Sequence, residues 1–397
     1  MKRPKKVLVV LGHRSLAEAV LVLPICHAIK SHSPDSHLSV SYARDTQRAL
    51  LEMYPQISQL VEMWNLKITG LKDLWRTIRY FVPVARAMSG YDTILLLHRK
   101  ETRWPMFLPA RLTRAQVYGK RSFTGVSMPP PELFYEKITE LMLGAGSAKR
   151  ILQYLPAIHI PEKYKGFAED FFSSNHLTGS MTIFMNPYRA SYQSAWGGRE
   201  ASRTLPRYFK VAKTLSDCGV KVLMHERGGP DETFDKNCLQ YYQEEYESRR
   251  REVEEAGIIL TGKISVRQLT AMINGCDMLL GEPSGPSWVA AALGKPTVTI
   301  VPSVASSLAS WLPVVNRGSD FWNAKHTVIV HEEGKPVTEG AVARILLGRL
   351  KAQPCKYTGG ISDLELSKQA TVVLDGVEAA EMERFVIRTV TALPRRM

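Results

Sequence analysis

Short apolar runs alternate along the chain with longer stretches whose apolar residues recur at helical spacing. KVLVVL near the N-terminus is apolar on both faces of a strand, and SLAEAVLVLPICHAIKSH after it predicts a helix despite Pro24. HLSVSYA predicts a second strand, DTQRALLEMY a helix and QLVEMW a short strand. LKDLWRTIRYFVPVARAM then reads as helical, and YDTILLLH as a strongly apolar strand. Strands separated by helices predict a parallel sheet with crossover connections.

The alternation then restarts. YLPAIHIPEKY, with two prolines and no helical period, reads as a linker. EDFFSSNHL predicts a helix, MTIFMNPY a strand, and TLPRYFKVAKTLSDCG a helix closed by Gly219. VKVLMHE and GIILTG predict strands and VRQLTAMINGC a helix. MLLGE is a strand running into the helix of SGPSWVAAALG, which begins near Ser287, and PTVTIVP is a further strand. YYQEEYESRRREVEEAG reads as a charged, solvated helix with i,i+4 ion pairs. A chain of 397 residues exceeds the usual size of one core. The expected division is a Rossmann-like domain over 1–160, a second over 161–350, and a tail over 351–397 whose helix packs back across the domains. Two α/β sheets joined by a linker predict a ligand cleft between them.

Charge narrows the range of partners. The formal net charge is +14, and residues 1–160 carry 23 Lys and Arg against 11 Asp and Glu. An excess confined to the first part points to an acidic partner: nucleic acid, an anionic membrane or a phosphorylated substrate. No RRM, KH or zinc-finger pattern accompanies it, so nucleic acid is not expected. Five widely spaced cysteines without a CxxC or Cys/His cluster predict a reduced cytoplasmic protein with no metal site. No stretch approaches the ~18 apolar residues of a membrane span, so any membrane association is peripheral. LKDLWRTIRYFVPVARAM, with Trp75, Tyr80 and Phe81 among basic residues, fits a crossover helix packed on the sheet or a contact with anionic lipid.

Chemistry concentrates in LLGEPSGPSWVAAALGKPTVTIVPS, residues 279–303. An apolar strand ends in small residues and a helix follows, so the unpaired first-turn amides and the helix dipole suit an anion. Ser284, Gly285 and Ser287 are small enough to let a phosphate approach the backbone. Neither a Walker loop nor a GxGxxG fingerprint is present, and a plain packing turn is the alternative. Near the N-terminus, GHRSLAEAVLVLP carries one carboxylate, Glu18, on a strand-to-helix turn. It is a cleft-facing catalytic group or an ordinary helix residue.

SGPSWVAAALGKPTVTI resembles the donor-binding motif of bacterial lipopolysaccharide heptosyltransferases, glycosyltransferase family nine. In that family Asp-Thr-Gly-Leu-Ser/Met-His precedes a small-residue helix and a Gly-x-Pro strand start. Here the glycine, the serine and the helix match, whereas the leading Asp and trailing His do not. Glu282 stands one position before the expected Asp, and Trp288 replaces the His, either filling space or stacking on a ring. GHRSLAEAVLVLP resembles the family's Ser-x-Gly-Asp element before Leu-Pro, with Ser15 on the serine, Ala17 on the glycine and Glu18 on the aspartate. Arg203-Thr204-Leu205-Pro206 is similar to a Lys-x-Trp-Pro element that contacts donor phosphate, and arginine retains that charge. GGPDE, residues 228–232, resembles the loop whose Glu holds the donor ribose, which places Glu232 there.

The resemblance implies an α/β GT-B fold, two Rossmann-like domains with parallel sheets facing a central cleft. It implies an inverting, metal-independent glycosyltransferase without a cofactor. A heptose or related sugar would move from a donor such as ADP-heptose to a lipopolysaccharide core acceptor. Glu18 would be the catalytic base, with Arg203, Glu232, Ser284, Gly285, Ser287 and Trp288 binding the donor. Arg14, Arg99, Lys100, Arg103, Lys120 and Arg121 fall at predicted strand ends or in the loops after them, the ligand side of such a sheet. They would bind the phosphates and carboxylates of an anionic glycolipid at the inner-membrane surface, on its cytoplasmic side. The competing expectations are a non-catalytic relative that binds a nucleotide sugar or glycolipid, and a transferase with another donor sugar.

Overall fold

A computed structural model describes residues 5–12, 15–63, 85–97, 113–119, 131–144, 158–187, 201–226, 229–230, 244, 247–282, 284–302, 326–331 and 339–351. The chain divides into two compact units between His159 and Ile160. In the first, β1 (Lys6–Val10), β2 (His37–Tyr42), β3 (Gln59–Glu62), β4 (Thr93–Leu96) and β5 (Gln116–Tyr118) form a parallel sheet. Its order is β3-β2-β1-β4-β5. Helices α1 (Leu16–His32), α2 (Asp45–Leu51) and α3 (Pro131–Leu143) accompany it. Crossovers cover both faces of a parallel sheet, which is why β4 is buried along its whole length and β1 along all but Lys6.

The second unit repeats the plan with six strands. These are β6 (Thr182–Asn186), β7 (Lys221–Glu226), β8 (Ile258–Lys263), β9 (Met278–Gly281), β10 (Thr297–Pro302) and β11 (His326–His331), in the order β11-β10-β9-β6-β7-β8. Every pairing among them is parallel. The helices are α4 (Glu162–Ser174), α5 (Ala201–Asp217), α6 (Arg250–Glu255), α7 (Val266–Gly275), α8 (Gly285–Ala292) and α9 (Glu339–Lys351). Phe209, Ala212 and Leu215 of α5 pack with Ile183, Val222 and Leu280 of three strands and Leu346 of α9 in one core.

Most expected elements are present, and three local differences have physical causes. Helix α4 begins at Glu162, inside the stretch expected to be linker. Pro161 occupies its N-cap, where a missing N–H costs nothing, and Glu162 suits the positive helix end. Helix α8 starts at Gly285, two residues before the expected Ser287, because Pro286 is tolerated in a first turn. Strand β5 has three residues, too few to show a period, and α3 was likewise not among the expected elements. Of LKDLWRTIRYFVPVARAM only residues 85–88 are described, as helix, and the tail beyond 351 lies outside the described residues. The charged helix is described at α6, where Arg250–Glu254 (3.2 Å) and Arg251–Glu255 (2.8 Å) pair at i,i+4 on an exposed face.

Both sheets change direction once. The chain lays β2 and β3 on one side of β1 before placing β4 on the other; likewise β7 and β8 precede β9 about β6. Such reversals open a crevice beyond the carboxyl ends of the two central strands. At each, a glycine passes against the neighbouring strand. A Cβ on Gly12 would lie 2.3 Å from the Leu97 carbonyl oxygen, and one on Gly281 would lie 2.5 Å from that of Asn186. Gly166, inside α4, would meet nothing within 4 Å. Gly281→Ala is therefore expected to destabilise by about 1–3 kcal/mol through overpacking. Gly166→Ala should stabilise by about 0.5–1 kcal/mol through helix propensity. Urea unfolding of the two variants beside the wild type measures both signs.

Candidate functional site

The crevice of the first unit is built around the start of α1. Ser15 is its N-cap, in extended conformation, and its Oγ accepts from the Glu18 amide at 3.3 Å. Glu18 is thereby set in the first turn, where the helix dipole favours a carboxylate. Its side chain turns back across the β1–α1 turn, and Oε1 accepts from the Gly12 amide at 2.8 Å. Glu18 is only 2% exposed. Neighbouring elements brace the turn: Ser41 Oγ of β2 accepts from the Leu11 amide (2.9 Å), and Gln47 of α2 donates from Nε2 to the Ser15 carbonyl (3.2 Å). Gln47 Oε1 in turn accepts from the Ala43 amide at 3.0 Å. Glu18 thus lies buried beside the switch point and ties the end of β1 to the start of α1.

In the second unit the corresponding crevice lies where β6 and β9 end side by side. Asn186 and Gly281 are register partners, and the Glu282 amide continues the ladder to the Asn186 carbonyl at 3.2 Å. Ser284 caps α8 in extended conformation, yet its side chain makes no capping bond. Its Oγ accepts instead from Asn186 Nδ2 at 2.8 Å, and Asn186 Oδ1 meets His225 Nδ1 of β7 at 3.3 Å. All three side chains are buried. Gly285 is partly exposed, while Ser287 is fully buried and donates from Oγ to the Glu282 carbonyl at 2.9 Å, closing the turn from inside. Trp288 is buried, at 6% exposure, among the apolar residues of α8. Glu282 is buried near Tyr208, whose phenol is held well above its usual range, by burial first and by that carboxylate second.

The residues expected to act therefore fall into three groups. Glu18 stands at one switch point, and Ser284, Gly285, Ser287 and Trp288 stand together at the other. Arg203 is in the first turn of α5, with its side chain outside the description. Glu232, Arg14, Arg99, Lys100, Arg103, Lys120 and Arg121 lie outside the described residues. Asn186, His225, Ser41 and Gln47 were not singled out from the sequence. The signal for the first two was a polar residue ending an otherwise apolar buried strand, in MTIFMN and VKVLMHE. Among the described residues no group of three or more His, Cys, Asp or Glu side chains is placed to hold a metal ion. No described helix is long and apolar enough to cross a membrane.

Two Rossmann-like units with all-parallel sheets define the GT-B architecture. Solved structures of the same fold include a glycosyltransferase family 9 protein from Veillonella parvula, at TM-score 0.58 and 18% identity, covering 98% of each chain. Another is Escherichia coli ADP-heptose LPS heptosyltransferase II, at TM-score 0.60 and 18% identity, covering 87% of this chain and 98% of that one. Residues 198–327 match the family model of glycosyltransferase family 9 (heptosyltransferase). Lipopolysaccharide heptosyltransferase 3 of Escherichia coli is 22% identical over 319 residues, 77% of this chain and 85% of that protein. The family 9 match over residues 198–327 and the resemblance to heptosyltransferases over three quarters of the chain support a glycosyltransferase.

The bond from Gly12 to Glu18 gives a stability test separate from chemistry. Glu18→Ala removes a buried acceptor and is expected to cost about 1–3 kcal/mol. Glu18→Gln keeps an amide oxygen at that position and should cost less, as urea denaturation of both variants would show.

Proposed function

We propose that this chain moves a heptose, or a related sugar, from a nucleotide-diphosphate donor such as ADP-heptose to a lipopolysaccharide core acceptor. Transfer proceeds with inversion and without a metal ion. The observation that carries this reading is the β9–α8 turn, a small-residue helix start at the second unit's switch point, within the stretch matching the family model. The named activities of the relatives supply the sugar and the acceptor class. The first unit, with its basic excess, binds the acceptor, and the second binds the donor.

In this mechanism Glu18 takes the proton of the acceptor hydroxyl as that oxygen bonds to the anomeric carbon. The bond from that carbon to the diphosphate breaks on the opposite face, and its electron pair leaves with the phosphate. The developing negative charge is met by the Gly285 amide and the positive end of α8, by the Ser284 hydroxyl and by Arg203. Glu232 holds the ribose, while Ser287 and Trp288 shape the donor turn. Arg14, Arg99, Lys100, Arg103, Lys120 and Arg121 bind the anionic groups of the glycolipid. The enzyme works peripherally at the cytoplasmic face of the inner membrane.

One observation favours a second reading, binding without transfer: Glu18 is buried and already bonded to the Gly12 amide. Glu18→Gln separates the two. The proposed base requires turnover to fall by about two orders of magnitude or more, with donor affinity retained. A thermal-shift panel of ADP-, UDP-, GDP- and CMP-sugars identifies the nucleotide. The correct donor at a hundred times its Kd should stabilise by about 2.7 kcal/mol.

A further inference from the structure

Ser284 stands where an N-cap serine normally accepts from its own helix, yet its oxygen is held from the other side. Behind it lies a line of buried polar groups that the transfer mechanism does not use. His225 is 1% exposed, Asn186 fully buried and Ser284 5% exposed. They come from the ends of β7 and β6 and from the turn after β9, three segments brought together only by the strand order.

We propose that His225 and Asn186 are positioning residues that fix the direction of the Ser284 hydroxyl, making it a donor toward the leaving diphosphate. This rests on the reading of the β9–α8 turn as the donor site. In the proposed relay the His225 tautomer that carries its hydrogen on Nδ1 donates to Asn186 Oδ1, 3.3 Å away. Asn186 Nδ2–H then donates to Ser284 Oγ across 2.8 Å. A hydroxyl that accepts from the strand side must send its one hydrogen elsewhere. A preset donor costs no reorganisation as charge develops on the phosphate oxygen, which is where such a group helps catalysis most. Burial strengthens the effect, because no water competes for Asn186.

Asn186→Asp tests the polarity with almost no change of shape. A carboxylate only accepts, so Ser284 would turn its hydrogen inward. Kinetics with ADP-heptose, binding of ADP and thermal melts are measured for Asn186→Asp, Ser284→Ala and the double variant. Each single variant should lower kcat by roughly a hundredfold, with KM for ADP-heptose changing less than about threefold and ADP binding weakened about tenfold. ADP feels the loss because it carries the charge that the donor only develops. The double variant should be no slower than the worse single one, since both changes remove the same donor. Additive losses would mean that the new carboxylate simply repels the diphosphate, and would overturn the relay.

Should Asn186→Asp fail to fold, a second pair decides. His225→Asn keeps an N–H near the Nδ1 position and should remain within about threefold of wild type, whereas His225→Leu should lose about tenfold in kcat. Equal losses in that pair, or none in either, would also overturn the proposal. If the unaltered protein neither binds ADP nor transfers from ADP-heptose, the donor-site reading and the relay fall together. If it does both and Asn186→Asp matches it, only the relay falls.

Discussion

The constraint the two units share is a strand end passing a neighbouring carbonyl with no room for a side chain. Gly12 against Leu97 and Gly281 against Asn186 sit at the points where the order of strands reverses. Each strand can turn into its helix there only because its backbone lies flush with the next strand. That contact sets where α1 and α8 begin, and so where Glu18 and Ser284 are held. The two crevices are thus the same solution reached twice in one chain, with different polar residues installed around each.

What surrounds the two glycines also differs in kind. In the first unit a carboxylate folds back to take the turn's own amide, and Ser41 and Gln47 hold the remaining backbone. In the second a neutral amide and an imidazole reach across from the sheet to the cap of the next helix. A carboxylate at the first crevice suits taking a proton. A set of hydrogen-bond donors at the second suits accommodating negative charge. The proposed division of chemistry between acceptor and donor rests on this difference in the polar residues more directly than on the fold, which many unrelated activities share.

Much of this was legible in the sequence, for definite reasons. Parallel strands buried on both faces read as unbroken apolar runs, so KVLVV, TILL and MLLG announce themselves. Glu18 and the Ser284–Trp288 stretch were recognisable because each lies on a local turn that a short window contains. Asn186 and His225 were not, because a polar residue at a strand end acquires meaning only from what the sheet places beside it. Asn186 reaches Ser284 across 98 positions of sequence, a separation that no local pattern encodes. The start of helix α4 is hidden for the opposite reason: Pro161 reads as linker when taken alone and is a cap in context.

The order of strands also has a bearing on synthesis. The central strand of the second sheet, β6, pairs with β7 soon after it is made but with β9 only much later. Thr182, at the head of β6, is tied through its amide to the side chain of Asp277, 95 residues downstream. On a ribosome adding about 5–20 residues per second, that edge of β6 stays open for roughly five to twenty seconds. During that interval an apolar strand is half-paired, and long-range parallel pairing is slow to form in any case. Strand β1 waits in the same way for β4, its partner from Thr93 onward, so each nascent unit presents a half-paired central strand to a chaperone.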